Sequence, residues 1–255
     1  MSKLHRRRKI NSVFVTGRNA VLELLLSSKT DSNIRNRIKA LYIGNKTSGD
    51  KIKEIINLAR SIGIKRYVVW KKTIEKLSGD ERSQQVMLEL EKEKFFIDDL
   101  IKRIKSQRTG LIVVVKDVDY ESNLGSVIRT CEAGGVDALV YNGNIGITSV
   151  VRRVSMGASE RLMILEHNVY QSLKVFRELG CNIIGVEVCG LVPYYRSNII
   201  DGWNVLLFGG EDTSLTGEIK YCDQVVNIPM VGKVGSLNLN AAVAIILFDI
   251  LRRKT

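Results

Sequence analysis

The chain has 255 residues, of which 45% are hydrophobic and 26% are charged. This balance fits a globular protein of one or two domains and excludes a disordered or collagen-like chain. The formal net charge is +12, and residues 1–109 hold 26 Lys and Arg against 12 Asp and Glu, whereas residues 110–255 hold 13 against 15. A cationic first half beside a nearly neutral second half suggests that the first binds a polyanion and the second carries the chemistry. The alternative is a lysine-rich genome in which all surfaces drift towards basic composition.

The first half alternates predicted helices and strands. Helices are predicted over Arg18–Leu26 and Asp50–Ser61 from the spacing of their apolar residues. Strands are predicted over Ala40–Ile43, Tyr67–Trp70 and Gln85–Leu90. We therefore predict a small basic α/β domain over residues 1–90, followed by a linker with a short helix over residues 91–108.

The second half, residues 109–255, also alternates strands with helices, which predicts an open, mostly parallel sheet covered on both faces. The predicted strands are Leu111–Val115, Ala138–Tyr141, Ile183–Val188, Val205–Phe208 and Gln224–Ile228. The predicted helices are approximately Asn123–Ala133, Val150–Met156, Val169–Leu179 and Asn238–Arg253.

Several common chemistries lack support in this sequence. The chain has two histidines, His5 and His167, so histidine acid–base catalysis and a histidine-rich metal site are not expected. The four cysteines form no C-x-x-C pair, which predicts buried thiols in a reducing compartment rather than a disulfide framework or a zinc site. Neither a G-x-G-x-x-G nor a phosphate-binding G-x-x-x-x-G-K-[ST] motif is present, so redox chemistry with a dinucleotide and NTP hydrolysis are not indicated.

The sequence also bears on location. No apolar stretch approaches the roughly 20 residues that a membrane-spanning helix needs, so we expect no membrane association of that kind. The basic run from Arg6 to Lys9 lacks the apolar core of a secretory signal. A tail that contacts nucleic acid is favoured over an organelle transit peptide, and we expect a cytoplasmic protein, or one of an organelle matrix if the source is eukaryotic.

Three segments of the second half place glycine and small polar residues directly after an apolar strand, where open α/β sheets bind their ligands. They are Asn123-Leu124-Gly125 with Arg129, then Gly209-Gly210-Glu211, then Ile228-Pro229-Met230 with Ser236-Leu237-Asn238. Together and in this order they resemble the signature motifs of the SpoU family of RNA ribose 2′-O-methyltransferases, within the SPOUT superfamily. The resemblance covers residues 111–253 and consists of N-L-G-x-x-x-R, a strand ending in G-x-E, and I-P-M with a downstream S-L-N.

The first half is similar to the ribosomal-protein-like substrate-binding domain of the branch that methylates large-subunit ribosomal RNA. Val15–Val21 matches the opening of that domain. Its usual His-Gln-Gly-Val is replaced here by Ser83–Val86, and the Asp-Pro that many members carry before the first motif is replaced by Tyr120-Glu121. The RNA contacts of the first loop and the conformation of the second are therefore open.

The resemblance implies an α/β fold whose parallel sheet is threaded as a trefoil knot in its carboxyl-terminal part, preceded by the small α/β domain. S-adenosylmethionine would lie in the knot loops and contact Gly209, Ile228, Met230 and Leu237. The resemblance further implies a homodimer, because family active sites are completed across the subunit interface. It implies no metal.

By the same resemblance, the catalytic set is Asn123, Arg129, Glu211, Ser236 and Asn238. Arg129 follows Asn123 by nearly two helical turns, so the two share a face only if the helix begins after Asn123. Family proposals make the arginine a general base, but a guanidinium with a pKa above about 12 rarely loses its proton. We favour a role in binding the adjacent phosphate and stabilising charge on the 2′-oxygen, and leave the role as base open.

Each of these residues also has a structural alternative. Asn123, Ser236 and Asn238 could be helix caps, Glu211 a turn carboxylate and Arg129 the partner of a surface ion pair. Arg18, in the opening motif, and the pair Arg152-Arg153 are candidates for contacts with RNA phosphates, the alternative for the pair being a solvated helix face.

The sequence thus predicts transfer of a methyl group from S-adenosylmethionine to a ribose 2′-hydroxyl of RNA, most simply guanosine in large-subunit ribosomal RNA. The alternatives are a transfer RNA 2′-O-methyltransferase and an antibiotic-resistance enzyme of the thiostrepton type that methylates an adenosine. From a different class, a non-catalytic RNA-binding ribosome assembly factor remains open, although the catalytic set is complete.

Overall fold

A computed structural model of the chain describes residues 11–210 and 213–254. Within these residues the chain divides into two compact units. The first takes the chain up to Glu93 together with Ile147–Arg161, and the second takes Lys94–Gly146 and the residues from Leu162 onward. Residues 147–161 therefore pack with the first unit, although both flanking segments belong to the second.

The first unit is built on a four-stranded sheet in the order β1-β4-β2-β3, in which β2 and β3 are parallel and the other neighbours antiparallel. Its strands are β1 (Ser12–Thr16), β2 (Ile38–Gly44), β3 (Arg66–Val69) and β4 (Val86–Glu91). Its helices are α1 (Arg18–Ser27), α2 (Ser32–Arg37), α3 (Asp50–Ser61), α4 (Lys71–Ser78) and, from the inserted segment, α7 (Ser149–Val154). The apolar faces of α1 and α3 cover the sheet and form the core with it, as Leu24, Ile55 and Leu88 illustrate.

The second unit contains a seven-stranded sheet in the order β7-β6-β5-β10-β8-β11-β9, in which every pair of neighbours is parallel. Its strands are β5 (Gly110–Val118), β6 (Ala138–Gly143), β7 (Met163–Glu166), β8 (Asn182–Val186), β9 (Val192–Pro193), β10 (Trp203–Phe208) and β11 (Gln224–Asn227). Its helices are α5 (Ile97–Ser106), α6 (Glu121–Ala133), α8 (Val169–Glu178) and α9 (Leu239–Lys254). Because the strands are parallel, their carboxyl ends meet at one edge of the sheet, where the three motifs were predicted to converge.

The predicted α/β class and parallel sheet are confirmed, and most predicted elements end within a few residues of their predicted limits. The predicted start of α6 at Asn123 is wrong, because the helix begins at Glu121 and places Asn123 in its first turn. The sequence pattern does not predict β1, α2, α4, β7 and β9. These elements have at most eight residues, too few for a periodic pattern to stand out.

The four cysteines are free thiols, and Cys131 and Cys181 are buried as predicted. Cys189 is exposed and Cys222 is half-buried, so the prediction of buried thiols holds only in part. Among the described residues, no helix is both long and apolar enough to cross a membrane. Within the same ranges, no group of three or more His, Cys, Asp or Glu side chains could hold a metal ion.

Candidate active site

A cavity of about 610 Å³ lies in the second unit, where β8, β10 and β11 end and α9 begins. Six of the predicted site residues line it: Gly209, Ile228, Met230, Ser236, Leu237 and Asn238. They come from two loops, one that follows β10 and one that connects β11 to α9. Since β8 lies between β10 and β11, the parallel order of the sheet brings these loops together.

The loop after β10 requires glycine. A Cβ atom at Gly209 would lie 2.6 Å from the carbonyl oxygen of Thr213, and one at Gly210 would lie 2.5 Å from the Thr213 hydroxyl. Atoms do not approach that closely in a folded chain, so a side chain at either position would push the loop out of this conformation. The two glycines therefore let the loop fold back on itself and leave backbone N–H and C=O groups at the cavity wall.

The end of β5 braces the same loop. Lys116 pairs with the buried Glu218 at 3.2 Å and donates to the carbonyl oxygen of Ser214. Asp117 has a left-handed φ of 47°, unusual for a residue with a side chain, and its carboxylate accepts hydrogen bonds from Thr213 Oγ1 and from Asn142. This carboxylate thus ties the loop to the sheet.

Glu187 is a cavity residue that the sequence reasoning missed. It directly follows β8, lines the cavity, and accepts a hydrogen bond from the backbone N–H of Leu215 through Oε1. The signal was a carboxylate at the end of an apolar run, but it was hidden because the predicted strand continued to Val188. Glu187 places a half-buried negative charge in the wall of the cavity.

Asn238 joins two of the motifs. Its Oδ1 accepts from the backbone N–H of Asn240, which makes it the cap of α9, and its Nδ2 lies 3.5 Å from Oδ1 of Asn123 on α6. The interpretation of Asn238 as a helix cap is therefore confirmed, and its catalytic role stays a prediction. Ser236 is exposed beside it, and its hydroxyl accepts no capping hydrogen bond from a described residue.

Arg129 is exposed on α6, nearly two turns beyond Asn123, and is not part of the cavity lining formed by the described residues. Because both residues lie within the helix, they do not share a face. The Arg129 guanidinium makes no hydrogen bond or ion pair with any residue in the described ranges, so the alternative of a surface ion pair finds no partner there. Glu211 lies outside the described residues.

The three arginines predicted to contact RNA belong to the first unit, and two of them form ion pairs with carboxylates of the protein. Arg152 Nε lies 3.0 Å from Glu160, whose side chain is 3% exposed, and Arg153 Nε lies 3.1 Å from Asp80, whose side chain is 4% exposed. Both guanidinium groups compensate buried carboxylates within the protein. A solvated helix face therefore does not describe the pair, and contact of either arginine with an RNA phosphate stays a prediction. The side chain of Arg18 is half-buried and has no such partner among the described residues.

These features fit a cationic ligand with an apolar ring system. Ile228, Met230 and Leu237 supply apolar walls, the glycine loop supplies backbone donors and acceptors, and Glu187 supplies the opposite charge. The volume is that of an ordinary small-molecule site. S-adenosylmethionine carries a sulfonium, an ammonium and an adenine, so its chemistry matches this set of groups.

Comparison with known proteins agrees with this geometry. A family model described as the SpoU rRNA Methylase family matches residues 110–248, and one described as RNA 2′-O ribose methyltransferase substrate binding matches residues 14–96. The 23S rRNA (guanosine-2′-O-)-methyltransferase RlmB of Pasteurella multocida is 27% identical over 233 residues, which are 88% of this chain and 93% of that relative.

Solved structures share the fold. An rRNA methyltransferase of Sinorhizobium meliloti with bound AdoMet superposes with a TM-score of 0.74 at 24% identity, covering 99% of this chain and 91% of that one. The SpoU methyltransferase AviRb of Streptomyces viridochromogenes, in complex with AdoMet, gives 0.73 at 21% identity, covering 99% and 94%.

Proposed function

The chain belongs to the SpoU rRNA Methylase family, and on that premise we propose that it methylates a ribose 2′-hydroxyl of large-subunit ribosomal RNA, at a guanosine. The observation that carries the proposal is the cavity in which Gly209, Ile228, Ser236, Leu237 and Asn238 meet, since these are residues of the family motifs. The match of residues 14–96 to a substrate-binding model and the RlmB relatives support ribosomal RNA as the substrate.

S-adenosylmethionine is the methyl donor, and when bound it supplies a methyl group made electrophilic by the positive sulfur. The residues that would hold it are Gly209, Ile228, Met230 and Leu237, through backbone groups and apolar contact. Glu187 would favour the cationic donor over a neutral analogue, because opposite charges attract strongly where water is partly excluded.

Arg129 has the role of binding the RNA phosphate next to the target ribose and stabilising negative charge that develops on the 2′-oxygen. Its exposure and its lack of a partner among the described residues leave the guanidinium available to RNA. Asn123 and Asn238 orient the motif loops through their mutual contact, and Ser236 and Glu211 complete the set that the family resemblance implies.

The same proposal includes a homodimer and a trefoil knot. The second unit leaves large apolar side chains exposed on α9 and on the loop before it: Val231, Val234, Leu237, Phe248 and Leu251. Exposed large apolar side chains commonly mark a protein interface, and a partner subunit seated there would bring its Arg129 to this cavity. The knot would form where the loops that line the cavity thread through one another. The two domains of the proposal are residues 1–90 and residues 109–255. A ribosomal RNA substrate and free thiols favour the cytoplasm.

The proposal is tested by methyl incorporation from labelled S-adenosylmethionine into large-subunit ribosomal RNA, followed by primer extension that maps the 2′-O-methyl group. We expect a single modified guanosine. A modified adenosine would identify an enzyme of the resistance type. Modification of transfer RNA alone would show that transfer RNA, not ribosomal RNA, is the substrate. No incorporation into any RNA would refute the proposed methyltransferase activity. Arg129→Ala should abolish incorporation while calorimetry still detects binding of the cofactor; retained activity would remove Arg129 from the mechanism.

A further inference from the structure

The edge strand of the first unit carries an exposed apolar strip. Val68 is 60% exposed and Trp70, just beyond the end of β3, is 69% exposed. Residues two apart in an extended chain point to the same side, so the two side chains share one face. Tryptophan is highly buried on average. A tryptophan side chain that is 69% exposed beside a second exposed apolar residue therefore indicates a binding surface.

Local structure does not explain Trp70. It occupies the position that caps α4, where Ser, Thr, Asp and Asn are preferred, and its side chain makes no capping hydrogen bond. Its backbone carbonyl accepts from Thr73, a bond that any residue would make. The indole therefore contributes little to the stability of the helix that it precedes.

The surroundings of Trp70 are cationic. Residues 65–76 hold five Lys or Arg and one Glu. Lys71 pairs with that Glu75 at 3.2 Å, whereas Arg66 and Lys72 are exposed and have no hydrogen bond or ion pair with any residue that the structure describes. The backbone N–H of Asn45 donates to the carbonyl of Val69 at 2.9 Å, and this bond brings the loop that carries the exposed Lys46 beside the end of β3.

We propose that Trp70 is a stacking platform for an unpaired base of the RNA, and that Lys46, Arg66 and Lys72 bind the phosphates on either side of it. The ligand class rests on the proposed function, which makes RNA the substrate. An aromatic face among unpaired cations is the arrangement by which proteins hold single-stranded RNA, because every base offers a π-face and every nucleotide a phosphate. The cations disfavour a protein partner, whose contact surface would have to be strongly acidic around an apolar centre.

The full chain offers a direct probe. It has two tryptophans, and Trp203 is 6% exposed, so a change of emission on adding RNA reports chiefly on Trp70. We expect a short single-stranded oligoribonucleotide of mixed sequence to quench the emission of the natural chain and to leave that of Trp70→Phe nearly unchanged. Trp70→Ala should weaken binding by about 5- to 150-fold, the range for loss of one stacked base, and Trp70→Phe should lose less.

Salt dependence separates stacking from charge. Trp70→Ala should keep the slope of the logarithm of affinity against that of salt concentration, whereas Lys72→Gln should reduce the slope by about 0.7. Phe96→Ala is the matched control, because Phe96 is also an exposed aromatic with a lysine, Lys94, over its ring at 5.0 Å, and it belongs to the second unit. We expect this variant to bind RNA like the natural chain.

Methyl incorporation into ribosomal RNA distinguishes the two possible failures. With Trp70→Ala we expect a raised KM for RNA at an unchanged kcat. If the natural chain methylates RNA and Trp70→Ala binds it with unchanged affinity, the stacking site is wrong and the proposed function stands. If the natural chain neither binds nor methylates RNA, both are overturned.

Discussion

Replacing Glu160 by glutamine tests the ion pairs that hold residues 147–161 within the first unit. The Glu160 carboxylate accepts from Arg37 Nη2 at 2.6 Å and lies 3.0 Å from Arg152 Nε. All three side chains are at most 11% exposed. Glutamine keeps the shape of the side chain but removes the negative charge between two buried guanidinium groups, and water cannot compensate them fully.

The size of the expected loss in stability depends on the partners that the two arginines keep. Removing one partner of a buried ion pair costs about 3–5 kcal/mol. Here Arg37 keeps Glu93 at 2.9 Å and the backbone carbonyl of residue 160 at 3.0 Å, and the glutamine oxygen still accepts one hydrogen bond. We therefore expect a loss of about 2–3 kcal/mol, which raises the equilibrium constant for local opening roughly 30- to 150-fold.

Amide hydrogen exchange measured by mass spectrometry resolves this change. Local opening exposes only the amides of the opened segment, whereas global unfolding exposes those of every peptide. Peptides from residues 147–161 and from α2 should exchange faster, and peptides from the sheet of the second unit should not. Glu81→Gln is the control, because Glu81 is exposed and has no partner among the described residues. Equal protection of residues 147–161 in the two variants would refute the reasoning.

Three further predictions concern the second unit. Gly209→Ala should lower the affinity for S-adenosylmethionine about tenfold or more in calorimetry, since forcing an atom into packed structure costs about 1–3 kcal/mol. Gly232→Ala, whose Cβ would meet no atom within 4 Å, should bind normally, and equal affinities would contradict the role of the glycine loop. Glu187→Gln should weaken binding of S-adenosylmethionine about fivefold and that of neutral S-adenosylhomocysteine less, and equal losses would exclude a charge effect. Burial raises the pKa of the Cys181 and Cys222 thiols from 9.0 to about 11. Their alkylation, mapped by mass spectrometry, should stay slow until the pH approaches 11, and the free energy of unfolding should fall as pH rises from 9 towards 11, because the unfolded thiols lose their protons first. Rapid alkylation of both at pH 8 would contradict the raised pKa values of these thiols.

The sequence predicted the α/β class and placed several motif residues at strand ends, but it did not predict which of them line one cavity. Gly209 and Ile228 could be placed at the ends of strands because short apolar runs stop at glycine or proline, which is local information. Their meeting at one cavity depends on the order β10-β8-β11, which no local pattern encodes. Glu187 lines the cavity because β8 lies between β10 and β11, and its local sequence does not predict that order.

Charged residues were the least predictable. The adjacent arginines Arg152 and Arg153 looked like an exposed pair, and their partners Glu160 and Asp80 lie 8 and 73 positions away in the chain. A buried ion pair across 73 positions depends on tertiary packing, so sequence spacing carries no signal for it. Arg129 was easier to anticipate, because its family motif specifies its position whatever its neighbours are.

Asn238 illustrates how one side chain can cap a helix and contact a second motif at the same time. As a cap it contributes about 1 kcal/mol to α9, and Ser, Thr or Asp would do nearly as well. An ionised Asp has no donor, and the Ser and Thr hydroxyls sit one bond nearer the main chain than Asn238 Nδ2, so none of them would replace its contact with Asn123. A library that replaces this residue would therefore sort into two classes. Capping residues would keep the helix and lose the contact between motifs, and non-capping residues would lose both. The difference in activity between the natural chain and the first class measures what the amide contributes beyond holding the helix.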